Sequence, residues 1–194
     1  MASSFRIQKA RMSGVSGRVL AAYARRTYGE VPDTAYVLWH HRPALKAVMA
    51  LERKVARFGA LDPHLKSFAV MAAAARIGCS WCLDFGYYLA HDEGLDLTKV
   101  REVPRWRESD AFTDLERDVM AYAEAMTATP PEVTDEMVTG LTDRLGTEAV
   151  VELTLMVALE NERSRLNSAM GLASQGFSDV CELPLARPVA ESVS

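Results

Sequence analysis

The stretch LKSFAVMAAAARIGCSWCLDFGYYLAHDEGL, residues 65–95, decides the fold class. Its first half is apolar and rich in alanine, and it lacks the alternation of apolar and polar residues that is typical of strands. Pro63 suits the first turn of a helix, and Gly78 is a helix breaker in the middle of the stretch. We therefore predict one helix over residues 63–77 and a second over residues 79–91.

Helical signals continue on both sides of this stretch, and strand signals are nearly absent. Thr113 and Glu116 have the spacing of a capping box, which fixes a helix start at residue 114. Residues 94–112 are interpreted as a connector with a short turn, and the chain as irregular at both ends. The other predicted helices span residues 17–28, 32–41, 43–58, 114–127, 134–145 and 147–172. The sequence thus predicts an all-α helical bundle that forms a single domain over residues 1–194.

Composition limits the classes of partner. The chain has 194 residues, a net charge of -4, 49% apolar and 25% charged residues, which suits one soluble domain. This mild charge gives no electrostatic reason to expect nucleic acid or a membrane as a partner. The N-terminus lacks the apolar region of a secretory signal. The longest run of apolar residues, 68–75, is too short to span a bilayer. A cytosolic location is the expectation that follows.

The motif Gly78-Cys79-Ser80-Trp81-Cys82 carries the clearest chemical signal. At a helix start, residues i and i+3 share a face, with Cα atoms about 5 Å apart, which a disulfide can bridge. The partial positive charge of a helix N-terminus favours the thiolate, the reactive form of cysteine. We therefore predict that Cys79 and Cys82 are a redox pair forming a reversible disulfide. Cys181 is expected to stay outside it.

Other interpretations of the cysteines remain open. A buried cysteine often serves only as a small apolar residue. A zinc site needs about four ligands, and the chain offers no second pair and no helical spacing among its His residues. A thioredoxin-like fold would need β-strands around the motif, whereas these flanks are helical. We expect neither a metal nor a bound cofactor.

Three blocks of the sequence resemble the alkylhydroperoxidase D-like (carboxymuconolactone decarboxylase) family. Residues 65–95 resemble its core signature, in which an apolar helix leads through a Gly-Cys-x-x-Cys turn into the next helix. Residues 112–141 resemble a downstream block, and residues 152–172 resemble the final helix, with Asn161 and Arg165 at typical places. The family-like core covers about residues 43–175.

The resemblance implies an all-helical, usually oligomeric protein, and in some members the reduction of hydroperoxides by the Cys pair. Cys82 inherits the attack on the peroxide, and Cys79 inherits the resolving role. The implied partner is a small hydroperoxide or a thiol/disulfide compound. A homo-oligomer is also expected from helix 148–160, whose faces are mostly apolar.

The sequence departs from the family's peroxidase pattern at two positions. That pattern has a Glu twelve residues before the first Cys and a His four residues after the second. Ser67 and Gly86 stand there in this chain, and neither can relay a proton to or from Cys82. His64, Asp84 and Tyr87 are the candidate substitutes for a relay or pocket role, although Asp84 lies about 200° around the helix from Cys82.

The leading hypothesis is a thiol-dependent peroxidase or disulfide oxidoreductase that uses Cys79 and Cys82. One alternative is a non-catalytic oligomeric module that keeps the fold and a residual Cys pair, which the loss of the two relay positions favours. Another is a Cys-independent decarboxylase or lactone-acting enzyme.

Overall fold

The computed structural model describes residues 3–186, and within that range it contains nine α-helices and no strand. The prediction of an all-α fold is confirmed. The helices are α1 (Gly14–Tyr28), α2 (Asp33–Leu38), α3 (Arg42–Val55), α4 (Pro63–Ile77), α5 (Ser80–Asp92), α6 (Leu97–Val100), α7 (Asp114–Thr127), α8 (Asp135–Leu145) and α9 (Thr147–Ala169). Two 3₁₀ helices span Val103–Glu108 and Phe177–Val180.

The two helices with the strongest local signals, α4 and α7, have the predicted boundaries. Asp62 caps α4 by accepting hydrogen bonds from the N–H groups of His64 and Leu65. Gly78 ends α4 in the left-handed region, at φ 79°, which glycine adopts without steric cost. At α7, Thr113 and Glu116 form the reciprocal hydrogen bonds of the capping box.

Other helices differ from the prediction at their ends. α5 begins at Ser80, because the side chain of Cys79 accepts a hydrogen bond from the N–H of Cys82 and so acts as the N-cap. α2 is shorter than predicted, and α9 ends at Ala169. The predicted connector 94–112 contains α6 and the first 3₁₀ helix.

α4 is the central helix of the core. Phe68, Ala69, Ala72 and Ala73 on this helix have no exposed surface. α4 packs mainly against α5, α7 and α9. Its alanine run lets these helices approach closely, because a methyl group occupies little volume between backbones. Within the described range, no helix is both long and apolar enough to cross a bilayer.

The N-terminal end of the described chain lies near the last turn of α9, whereas the N–H of Ala186, at the C-terminal end, donates to the carbonyl of Arg101 beside α6. The N–H of Ser4 donates to the carbonyl of Gly171, and the N–H of Arg6 donates to the carbonyl of Met170. The second 3₁₀ helix, Phe177–Val180, packs against α5. Apart from this 3₁₀ helix, residues 176–186 have no regular secondary structure, and residues 187–194 lie outside the described residues.

Candidate functional site

Cys79 and Cys82 are joined by a disulfide at the start of α5, with their Cα atoms 5.3 Å apart. Only 2% of Cys79 and 7% of Cys82 is exposed. Cys181 is free, as predicted, and is partly buried. The pairing therefore agrees with the sequence prediction, and the reversibility of the bond stays a prediction.

The two sulfur atoms have different hydrogen-bond donors. The N–H of Cys82 lies 3.2 Å from Sγ of Cys79. Sγ of Cys82 instead faces the side-chain amide of Asn167, with Nδ2 at 3.5 Å. The N–H group at the helix start therefore points at Cys79 and not at Cys82. Cys79 occupies the N-cap position of α5.

Asn167 is a site residue that the sequence analysis missed. It lies on α9 and is 1% exposed. Its Oδ1 accepts a hydrogen bond of 2.8 Å from the hydroxyl of Thr34 on α2. A signal was available in the sequence, because Glu160, Ser164 and Asn167 follow a helical spacing and are the buried polar residues of that half of α9.

Asp84 holds the C-terminal segment and does not face the disulfide. Its Oδ2 accepts from the N–H groups of Gln175, Gly176 and Phe177 at 2.9, 2.8 and 3.1 Å. Its Oδ1 accepts from the N–H and the hydroxyl of Ser178 at 2.8 and 2.7 Å. Burial alone raises the pKa of this carboxyl, but the hydrogen bonds outweigh burial, and the pKa is lowered. Both oxygens are thus occupied, so the contacts of Asp84 support a structural role and not a relay.

Gln175 connects the C-terminal segment to the motif and to α2. Its Oε1 accepts hydrogen bonds from Nε1 of Trp81 at 2.8 Å and from the N–H of Asp33 at 2.7 Å. The ring of Trp81, between the two cysteines, stacks on Phe85 with centroids 4.9 Å apart, and Phe177 contacts Phe85 edge-on at 5.1 Å. An aromatic cluster therefore covers the first turns of α5.

The two family relay positions, Ser67 and Gly86, are separated by Met71. The hydroxyl of Ser67 lies 3.9 Å from Sδ of Met71. A Cβ atom at Gly86 would lie 3.4 Å from Cγ of Met71, an ordinary van der Waals contact. Met71 is buried. The space between these positions thus holds a thioether, which cannot donate a proton.

The remaining candidates, His64 and Tyr87, contact other parts of the chain. Nε2 of His64 accepts a hydrogen bond of 3.2 Å from the N–H of Asp96, beside α6. The hydroxyl of Tyr87 donates to the carbonyl of Leu183 at 2.7 Å, and burial raises the pKa of this phenol. These contacts direct neither group to the cysteines. Among residues 3–186, no cluster of three or more His, Cys, Asp and Glu could hold a metal ion.

Comparisons with known proteins point to one family. The sequence model of the carboxymuconolactone decarboxylase family matches residues 42–125. The uncharacterized protein YnjA of Escherichia coli (strain K12) is 34% identical over 165 residues, which cover 82% of this chain and 87% of that protein.

Solved structures share the fold. A protein of unknown function from Agrobacterium tumefaciens, also described as a putative antioxidant defence protein AhpD, is 25% identical, with a TM-score of 0.64, over 69% of this chain and 92% of that one. An uncharacterized peroxidase-related protein with an alkylhydroperoxidase AhpD core, from Ralstonia eutropha JMP134, has a TM-score of 0.79 at 16% identity, over 93% and 97% of the two chains. A variant of the debrominase Bmp8 in complex with 2,3,4-tribromopyrrole has a TM-score of 0.77 at 18% identity, over 91% and 96%. The chain therefore belongs to the carboxymuconolactone decarboxylase family, with the alkylhydroperoxidase D-like fold that its three sequence blocks predicted.

Proposed function

We propose that this protein is a dithiol oxidoreductase, in which Cys79 and Cys82 cycle between dithiol and disulfide while they reduce a small oxidant. A hydroperoxide is the first candidate oxidant. The observation that carries this proposal is the Cys79–Cys82 disulfide at the start of α5, where each sulfur faces its own N–H donor.

The proposed reaction balances with one hydroperoxide per disulfide formed. The thiolate of Cys82 attacks the hydroperoxide, an S–O bond forms, the O–O bond breaks, and the leaving alkoxide takes a proton to become an alcohol. The thiolate of Cys79 then attacks the sulfenic acid sulfur, the S–O bond breaks as the disulfide forms, and the departing hydroxide takes a proton from solvent to become water. An external dithiol returns both cysteines to the reduced state by thiol–disulfide exchange.

Burial of the site favours a small oxidant over a protein disulfide. Cys79 and Cys82 are almost completely buried. Thiol–disulfide exchange needs the attacking thiolate to reach a sulfur atom of the partner, so its rate depends on access. A hydroperoxide brings only its terminal oxygen atoms to Cys82, which is the more exposed of the two residues.

Proton delivery limits the expected peroxidase rate. Ser67 and Gly86 occupy the relay positions and Met71 lies between them, so the leaving alkoxide depends on water for its proton. A positioned acid or base typically contributes about 10²–10⁴-fold. We therefore expect turnover that is slow compared with a family member that has both relay residues.

The test measures thiol loss from the reduced protein on mixing with cumene hydroperoxide, with alcohol formation quantified in parallel. Cys82→Ser should abolish the reaction, and Cys79→Ser should stop it at a sulfenic acid that dimedone traps. Cys181→Ser is the matched control and should react like the wild type. Unchanged peroxide consumption by Cys82→Ser would refute the proposal and favour a Cys-independent enzyme. If neither the wild type nor any variant reacts with cumene hydroperoxide, a non-catalytic module is favoured.

A brominated aromatic compound is a second candidate oxidant. Its support is the likeness of fold to the debrominase Bmp8 together with the aromatic cluster of Trp81, Phe85 and Phe177 beside the cysteines. Flat apolar rings pack well against such side chains. The same assay with 2,3,4-tribromopyrrole, read by bromide release and disulfide formation, distinguishes this oxidant from a hydroperoxide.

A further inference from the structure

We infer that Asn167 holds the sulfur of Cys82 in its thiolate form once the disulfide is reduced, and that Thr34 fixes the orientation of the Asn167 amide. This inference rests on the proposed function only in naming Cys82 as the attacking cysteine.

The geometry of Asn167 suits a thiolate. Its amide is almost completely buried on α9, with Nδ2 3.5 Å from Sγ of Cys82. A disulfide sulfur accepts hydrogen bonds weakly, whereas a thiolate carries a full negative charge and makes charge-assisted bonds that are roughly twice as strong as neutral ones. The contact therefore gains most of its strength in the reduced protein.

Thr34 determines which end of the amide faces the sulfur. Its hydroxyl donates to Oδ1 of Asn167 at 2.8 Å, which leaves Nδ2 directed at Cys82. The reversed amide would place an oxygen lone pair against the thiolate, which is repulsive. The three residues lie on α2, α9 and α5, so the arrangement depends on the packing of these helices and not on the motif alone.

Other groups that could stabilise the thiolate are engaged elsewhere. The first-turn N–H of Cys82 faces Cys79, and the family's relay positions hold Ser67 and Gly86. Asp84, two residues along α5, is bound through both oxygens to residues 175–178 and has no proton to donate to the sulfur.

Many titratable and charged side chains of the elements around α5 are bound to groups other than the two cysteines. On α5, the carboxylate of Asp84 accepts from residues 175–178, and the hydroxyl of Tyr87 donates to the carbonyl of Leu183. On the other neighbours, the ion pairs are Lys9 with Asp33, Lys66 with Glu152, Lys99 with Glu116, and Arg163 with Glu52 and Glu160. Nε2 of His64 accepts a hydrogen bond from the backbone N–H of Asp96. Cys181 is the remaining thiol, and burial followed by the charge of Asp84 raises its pKa.

The experiment measures the pKa of the Cys82 thiol directly. In a Cys79→Ser/Cys181→Ser background, Cys82 is the only cysteine, and its thiolate is followed by absorbance at 240 nm and by the pH dependence of iodoacetamide alkylation. Loss of a hydrogen bond to a charged group corresponds to about one pKa unit, or about tenfold less thiolate well below the pKa. Asn167→Leu should therefore raise the pKa by about one unit, and Asn167→Asp should raise it further.

Two additional variants make the test specific. Asn161 lies on the same helix, but its amide binds the hydroxyl of Thr127, so Asn161→Leu should leave the pKa of Cys82 unchanged. Thr34→Val removes the orienting hydroxyl without touching the sulfur, and it should raise the pKa by less than Asn167→Leu does. It also keeps the inference testable if Asn167→Leu does not fold.

The inference would be overturned if the pKa of Cys82 is unchanged in folded Asn167→Asp, or if Asn161→Leu changes this pKa as much as the Asn167 variants do. Asn167 would then be a packing residue. The titration contains no peroxide, so its result is independent of whether the protein turns over hydroperoxides. Failure of the proposed function and failure of this inference are therefore distinguishable.

Discussion

Replacement of Asp84 by Asn tests whether one buried carboxylate anchors the C-terminal segment to the cysteine-bearing helix. Asp84 is 2% exposed. It accepts five hydrogen bonds, four from the backbone N–H groups of residues 175–178 and one from the hydroxyl of Ser178. Asn keeps the shape of the side chain but offers one acceptor oxygen, and its NH₂ group must face donors.

The size of the effect follows from these contacts. If the oxygen of Asn keeps the three donors at Oδ2, its NH₂ faces the N–H of Ser178, which then loses its partner. An unsatisfied buried donor costs about 1–3 kcal/mol, and the other bonds lose their charge assistance. We therefore expect the free energy of unfolding to fall by about 3 kcal/mol, a large fraction of the 5–15 kcal/mol typical of a domain.

Urea denaturation at pH 7 with the disulfide intact, followed by tryptophan fluorescence, measures this loss. Hydrogen exchange should show the amides of residues 175–178 protected in the wild type and exchanging rapidly in Asp84→Asn. Asp92→Asn removes an exposed carboxylate from the same helix and should change stability by less than about 0.5 kcal/mol.

The pH dependence has a defined sign. The pKa of Asp84 is lowered in the folded protein, so its stabilisation is fully present above the unfolded-state pKa of about 3.9 and is lost as the pH falls through the lower folded value. The difference between wild type and Asp84→Asn should be constant from about pH 5 to 7 and should shrink below about pH 4. A loss under about 1 kcal/mol at pH 7, with residues 175–178 still protected, would refute the reasoning.

Three further predictions concern other parts of the chain. Gly86→Ala should stabilise the protein by about 1 kcal/mol, measured by thermal unfolding, because the added Cβ lies 3.4 Å from Cγ of Met71 and glycine is unfavourable inside a helix. Burial raises the pKa of Glu160 to about 7, so between about pH 4.5 and 7 the folded protein keeps a proton that the unfolded chain releases. The free energy of unfolding should therefore fall by up to about 3 kcal/mol over this range. Urea titrations of Glu160→Gln should not show this fall. Val151 and Leu155 on α9 are 63% and 39% exposed, and we propose that they lie in a homo-oligomer interface. Leu155→Glu should therefore lower the mass measured by light scattering. A monomeric wild type would contradict the proposed interface.

The parts of the fold that were predictable from the sequence depend on interactions between residues close in the chain. Pro63 and Asp62 start α4, Gly78 ends it, and the capping box of Thr113 starts α7 within four residues. The start of α5 was placed one residue early, because a cysteine sulfur took the capping role that oxygen-bearing side chains usually have.

The sequence by itself determined the helical class and indicated the pairing of Cys79 with Cys82, because periodicity, helix caps and an i, i+3 spacing act over one or two turns. The family followed from the resemblance of three sequence blocks. Only the tertiary structure decided which groups surround the two sulfurs. Asn167 is 85 residues from Cys82, and Thr34 is 133 residues from Asn167. The contacts between α2, α5 and α9 depend on apolar burial across the whole core. A sequence pattern can indicate that a residue is buried, but it does not indicate which residue it will contact.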